Sequence, residues 1–292
     1  MATVTQPFRI NAADLRDPNF WRARFPELDL SAPSDVARFA SDMEYGEAER
    51  ARNAERMAED GYIHGAHPAL GTLAPMLAQA GARCIELGLP PVFLFLFNDV
   101  WRCFYALKPA LDAMLGPGFY ALPDFWFWHV DPRKGEAGWA PHADKGPFSL
   151  DPQGRPLSVT VWIALSKATP LNSCIYVLPA SRDRGYLQPE QRRIDLTQIR
   201  ALPTAPGEFL CWNQAVFHWG SAASRFADEP RISMALEFQS AAAAPFNQPL
   251  IADPDALDFE AKLRLVAKQI LQYRHMYAVD PGVESLALAL QA

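Results

Sequence analysis

The pattern of apolar residues changes abruptly after Phe119, and that change limits the folds open to the chain. From there short apolar or alternating runs follow one another, separated by Gly, Pro, Asp and Asn. They are Tyr120 to Val130, Trp139 to Ala143, Leu157 to Leu165, Ser173 to Leu178, Glu208 to Trp212, Val216 to Trp219 and Ile232 to Phe238. Short strands at this spacing predict an all-β sandwich or barrel. The first third reads as helical. Ser34-Asp35 is placed to cap a helix through the charge-rich stretch Glu44 to Asp60, stopped by Gly61. Leu73 to Gly88 predicts a second helix, Pro91 to Phe97 a buried strand, and Asn98-Asp99 to Leu115 a third helix. Pro189 to Arg200 predicts a helical insertion, Ala241 to Ala244 marks the exit from the core, and Asp255 to His275 predicts a long amphipathic helix. The expected architecture is one domain over residues 1–292, mainly β with flanking helices. Residues 1–118 are mostly helical, 119–240 form the β core, and 241–292 form a helical end.

Composition narrows the function classes. Half of the 292 residues are hydrophobic, enough for a sizeable core. A net charge of −6 and a pI near 5.5 argue against nucleic acid as a partner, because such binders carry a basic stripe. Cys84, Cys103, Cys174 and Cys211 are scattered and form no CxxC pair, which fits free thiols in a reducing cytoplasm. Met1 to Pro7 lacks the basic and apolar regions of a secretory signal, and the apolar run from Pro90 to Phe97 is too short to span a bilayer.

The chemistry concentrates in His142-Ala143-Asp144. In an extended segment residues i and i+2 point to one side, so His142 and Asp144 can reach a common metal. Two imidazoles and one carboxylate are the facial ligand set of non-haem Fe(II) oxygenases, and the set also suits Mn(II), Co(II) or Zn(II). His218, on an aromatic segment brought alongside by folding, is the natural third ligand. Arg231 opens the next predicted strand and is suited to a bidentate pair with a carboxylate. Arg225 is its rival, but it lies in the intervening loop. Trp126 and Trp128 share one face of their strand, opposite Phe125 and Phe127, and either face is a candidate for the site. Lys145, Arg182 and Arg184 are candidates for a cationic rim, His129 for the cavity wall, and Asp99, Trp101 and Arg102 for the pocket. His64 and His67 sit among glycines and a proline that read as loop.

These motifs, in this order, carry a resemblance. Gly138-Trp139-Ala140-Pro141-His142-Ala143-Asp144-Lys145 resembles the iron-binding segment of the phytanoyl-CoA dioxygenase family of Fe(II)/2-oxoglutarate oxygenases. Ser158 to Leu165 is similar to that family's following strand. Asn172 with Tyr176 to Arg182 resembles its asparagine-glycine and proline-turn passage. Pro206 to His218 and Pro230-Arg231-Ile232-Ser233 resemble its distal histidine and cosubstrate arginine. The likeness covers residues 119 to 240. It departs at Ser173, where the family has glycine, and at Arg182 or Asp183, where it has histidine.

The resemblance implies a double-stranded β-helix, or jelly-roll and cupin-like, core. It also implies Fe(II) held by His142, Asp144 and His218. Arg231 would take the 5-carboxylate of 2-oxoglutarate, helped by a hydroxyl such as Thr160, Ser221 or Ser233. The implied reaction converts 2-oxoglutarate and O2 to succinate and CO2 and hydroxylates a small organic substrate. Asp144 favours hydroxylation over halogenation, which needs that carboxylate replaced. The cationic rim would suit an anionic substrate, such as a sugar acid, an amino acid or a secondary metabolite. Two alternatives stay open: a cupin-type oxygenase independent of 2-oxoglutarate, and a metal-binding jelly roll without catalysis.

Overall fold

The computed structural model describes residues 11–39, 46–275 and 279–291. Among them, eight strands run in chain order: β1 (Tyr62–Ala66), β2 (Tyr120–Val130), β3 (Ser158–Ala164), β4 (Ile175–Leu178), β5 (Arg200–Leu202), β6 (Glu208–Asn213), β7 (Phe217–Gly220) and β8 (Arg231–Gln239). They build two antiparallel sheets, ordered β1-β6-β3-β8-β2 and β5-β4-β7. This is the jelly-roll core, although more of the described residues lie in helices than in strands.

Strand alternation divides the larger sheet into two faces. Val159, Val161 and Ile163 of β3, Phe209 and Cys211 of β6, Phe125 and Phe127 of β2, and Ile232, Met234, Leu236 and Phe238 of β8 join the core beneath the helices. Their neighbours Trp162, Leu210, Trp212 and Ala235 join a second cluster with Ile175 and Val177 of the smaller sheet. The period of two thus sorts one set of side chains to the helical layer and the other to the inter-sheet space. Trp126 and Trp128 therefore face the smaller sheet.

After α1 (Ala12–Leu15), α2 (Pro18–Arg24), α3 (Val36–Phe39) and α4 (Glu47–Glu59), the helical layer is built from α5 (Pro68–Glu86), α6 (Asn98–Tyr105), α7 (Lys108–Leu115) and α8 (Phe259–Tyr273), with α9 (Pro281–Gln291) at the end. Asp258 caps α8 by accepting from the Ala261 N–H. Pro91 to Phe97 is not the expected strand. Residues Pro91–Leu96 form a 3-10 helix, buried on every side, and a short apolar run between proline and a cap does not distinguish the two. The expected helix from Asn98 to Leu115 is broken into α6 and α7, because Pro109 cannot donate back to the preceding turn. The helix expected from Ser34-Asp35 to Asp60 is two helices, Val36–Phe39 and Glu47–Glu59, the second starting afresh at extended Gly46. Glu44 and the Met1 to Pro7 segment lie outside the described residues.

Trp139 to Ala143 forms no strand, only a single bridge at His142. Pro189 to Arg200 holds two short 3-10 turns rather than an α-helix. The stretch with His64 and His67, expected as loop, supplies β1. Gly65 packs closely there: a Cβ would lie 2.7 Å from the Phe209 ring, which would have to give way. The helix Pro281–Gln291 falls within the expected helical end, as a second helix beyond the one placed at Asp255 to His275. All four cysteines are free and buried, and no helix of the described residues is long and apolar enough to cross a membrane.

Asp99 and Arg102 serve the fold. Arg102 pairs with Asp29, Asp35 and Asp99, and Trp101 donates its indole N–H to the Phe95 carbonyl. Phe95 stacks on Phe125 with centroids 4.1 Å apart and meets Trp101 edge-on. Phe95→Ala is expected to cost about 3–5 kcal/mol in denaturant unfolding. Lys262 of α8 is buried against Asn98. Burial lowers it to about 8, against Asp29, Asp255 and Asp258, which raise it, and with Arg102, which lowers it. Between about pH 8 and the ordinary value of 10.5 the unfolded chain holds a proton that the folded one has lost, so stability rises with pH there. Lys262→Met is expected to remove that slope in unfolding curves measured against wild type.

Candidate metal centre

Two backbone hydrogen bonds set the site. His142 N–H donates to the His218 carbonyl at 3.0 Å, and His218 N–H returns one to His142 at 2.8 Å. This bridge lays the irregular segment after β2 along β7. The N–H groups of Lys145 and Gly146 both donate to the Gln214 carbonyl, which pins the other end of the motif. His142 and Asp144 consequently project together although they lie on no strand.

The Asp144 Oδ1 stands 3.2 Å from His142 Nε2 and 3.5 Å from His218 Nε2. One ligand atom from each of the three residues falls within 4.8 Å of the others, so the group could bind iron or another metal ion. The remaining polar atoms are already engaged. His142 Nδ1 contacts the Ala140 carbonyl at 2.7 Å, and His218 Nδ1 contacts the Val216 carbonyl at 3.0 Å. A carbonyl only accepts, so each Nδ1 carries a proton and Nε2 is the ring atom left to face a cation. Asp144 Oδ2 accepts from Thr160 Oγ1 at 2.7 Å and from Trp212 Nε1 at 3.0 Å, leaving Oδ1 for a cation.

Burial alone would raise the Asp144 pKa, but His218, His142 and the Thr160 hydroxyl hold it well below the usual carboxylate range. Burial pulls His142 down, yet its bond to Asp144 raises it overall, whereas burial prevails at His218 and lowers it. The side chains are 31%, 12% and 6% exposed for His142, Asp144 and His218, so the centre opens on the His142 side.

Arg231 lines the same cavity from β8 and is 2% exposed. Its Nη1 donates to Ser233 Oγ and its Nη2 approaches Ser173 Oγ at 3.4 Å, while Nε has no partner. Among the described residues no carboxylate pairs with it. Burial lowers its pKa from 12.5 to about 10. Arg225 is exposed on its loop.

Other expected site residues fall differently. Trp126 and Trp128 line the cavity, with Trp139, Tyr273 and Glu237, which sequence reasoning missed. Thr160 also lines it, but its proton goes to Asp144 and its oxygen accepts from Gln214 Nε2, so its hydroxyl is committed to Asp144 rather than to Arg231. Ser221 Oγ is a buried atom on the residue after β7, beside the Tyr176 hydroxyl. Lys145 is paired with half-buried Glu237 and does not offer a free charge. Arg182 and Arg184 are exposed and line a separate surface depression with Arg193 and Asp195. The cationic rim expected from these three residues is therefore absent. His129 faces an outer basin, not the metal cavity. His64 bonds Glu208 at 3.1 Å, and His67 caps α5.

The metal cavity has a volume of about 100 Å3, and the adjoining basin about 500 Å3. They share Trp126, Trp128, Trp139 and Tyr273. The Tyr273 ring meets Trp126 and Trp139 edge-on, with centroids 4.9 Å and 5.2 Å away.

Residues 29–227 match the family model of phytanoyl-CoA dioxygenase. No curated protein matches the sequence. Among solved structures the chain is similar to the apo form of the non-haem monooxygenase ThoJ, at 16% identity and a TM-score of 0.54, covering 81% of this chain and 99% of that one. It is similar to AviO1 from Streptomyces viridochromogenes Tue57, at 17% identity and a TM-score of 0.52, covering 69% and 99%. It is also similar to the epimerase SnoN in complex with Fe3+, alpha ketoglutarate and nogalamycin RO, at 19% identity and a TM-score of 0.51, covering 73% and 89%. At these identities the likeness is one of fold. The family match spans more than half of the sequence and includes the His142, Asp144 and His218 cluster. The chain belongs to the phytanoyl-CoA dioxygenase family of iron- and 2-oxoglutarate-dependent oxygenases.

Proposed function

We propose that the protein hydroxylates an unactivated C–H bond of a small organic molecule, with 2-oxoglutarate and O2 converted to succinate and CO2. His142, Asp144 and His218 hold Fe(II) in this reading, and Arg231 with Ser233 and Ser221 receives the distal carboxylate of 2-oxoglutarate. Iron and cosubstrate together supply the oxidising power that the protein's own side chains lack. The carrying observation is Arg231, a buried guanidinium with no anion beside it. A buried charge without a counter-charge is expensive, and a dicarboxylate ligand removes that cost. A cupin-type oxygenase without 2-oxoglutarate, or a metal-binding jelly roll without catalysis, leaves that cation unexplained.

The protein's residues do three things for this chemistry. The two backbone carbonyls hold a proton of each imidazole at Nδ1, so that Nε2 is the atom turned to ligate. Thr160 and Trp212 fix the Asp144 carboxylate through Oδ2. The tryptophans around the cavity exclude water from the reacting face. The small metal cavity suits the cosubstrate, and the outer basin, reached between Trp126, Trp139 and Tyr273, suits the substrate. That basin is lined by His129, Glu136 and Asp280 but by no lysine or arginine among the described residues. A neutral or cationic substrate fits it better than the anionic one expected from Lys145, Arg182 and Arg184.

Thr160→Val and Trp212→Phe each leave Asp144 Oδ2 short of one donor. Each is expected to weaken metal binding about 10–100-fold, read by calorimetric titration with Fe(II) under anaerobic conditions. Arg231→Ala keeps the metal ligands and removes the anion's partner. In an anaerobic titration of the Fe(II)-loaded protein, the visible charge-transfer band of the chelate is expected to need at least about 100-fold more 2-oxoglutarate. Wild-type saturation in that variant would refute the assignment of Arg231.

A further inference from the structure

Ser173 occupies a conformation that its side chain does not favour. Its φ is +75°, and it is the only non-glycine residue with a positive φ among the described residues. The turn around it is over-determined. Asn172 Oδ1 accepts from the Thr169 N–H at 2.7 Å, Asn172 Nδ2 donates to the Lys167 and Glu229 carbonyls, and Cys174 N–H closes on the Thr169 carbonyl at 2.9 Å. A glycine would adopt this backbone without the steric cost. A serine held there against its preference points to a use for the hydroxyl.

The surroundings show the use. Ser173 is fully buried. Its Oγ accepts from the Gly138 N–H at 3.0 Å and lies 3.4 Å from Arg231 Nη2. Room for it exists because Gly138 and Gly220 pack backbone to backbone. A Cβ on either would stand 3.0 Å or 3.2 Å from the Ser173 Oγ and would collide with the opposite glycine Cα. With both lone pairs facing N–H groups, the hydroxyl has only its proton left to give, and no acceptor among the described residues takes it. Ser233 Oγ accepts from Arg231 in the same way, and Arg231 Nε has no partner. The unspent groups around the guanidinium are therefore donors, and what this pocket lacks is an acceptor.

We infer that Ser173 is a cosubstrate-binding residue in this chain: its hydroxyl holds one arm of Arg231 and donates its own proton to the distal carboxylate of the 2-oxo acid. This rests on the cosubstrate reading above. The two variants that test it are Ser173→Gly, which releases the backbone, and Ser173→Ala, which keeps the unfavourable φ and loses only the hydroxyl. In the Fe(II)-loaded full chain under anaerobic conditions, both are expected to raise the dissociation constant for 2-oxoglutarate roughly ten-fold or more. Iron affinity stays at the wild-type level. Binding of 2-oxopentanoate, which lacks the distal carboxylate, is unchanged. Thermal melts of the metal-free proteins should separate the two variants, with S173G melting roughly 2–4 °C above S173A. Wild-type affinity for 2-oxoglutarate in both variants, or equal losses for 2-oxoglutarate and 2-oxopentanoate, overturns the role of Ser173 while leaving the cosubstrate reading in place. No saturable 2-oxoglutarate binding by the wild-type chain overturns both.

Discussion

The paired backbone hydrogen bonds between His142 and His218 are the constraint on which the rest of the site depends. They join an irregular segment to the edge of the smaller sheet, and they do so at the two residues whose imidazoles must converge. Ligand spacing is thus set by main chain, which has few alternatives, rather than by side-chain packing. Each imidazole is then oriented by a carbonyl two residues before it in the chain, Ala140 for His142 and Val216 for His218. A cation bound between them would tie the same two segments a second time, so metal affinity and the folding of the loop are linked.

The carboxylate arm is set by the other sheet. Thr160 and Trp212 are direct cross-strand partners on β3 and β6, and both donate to the same oxygen of Asp144. This explains why the ligands were legible in the sequence and their supports were not. Histidine, aspartate and arginine announce themselves by residue type and order. The partnership of Thr160 and Trp212 exists only through strand register, which brings together positions far apart in the chain. Thr160 could be read as a hydroxyl near the site, but not as one already committed to Asp144. Lys145 failed for the same reason, since its partner Glu237 lies 92 residues away.

The fold was legible to a similar depth. Alternation identified most strands of the core, because one face meets helices and the other meets the second sheet. It failed where burial is uniform, as in Pro91–Leu96, and where Gly61, Gly65 and Pro68 in and around a short strand read as loop, as at β1. The choice between the Trp126 and Phe125 faces required knowing which side of the sheet the helices cover. Once that is known, the phenylalanines fall to the helical core and the tryptophans to the cavity.

Strand β8 carries a consequence beyond its place in the sheet. Arg231, Ser233, Ala235 and Glu237 share its inner face, while Ile232, Met234, Leu236 and Phe238 anchor the outer face in the core. At about 3.3 Å per residue the strand works as a ruler, setting the Arg231 end and the Glu237 end of the cavity roughly 20 Å apart. A slip of one residue would turn four apolar side chains into the cavity and put a guanidinium and a carboxylate among hydrocarbons. The hydrophobic core therefore acts as the proofreader of the chemistry, since a chain that misplaces Arg231 also fails to bury its apolar face.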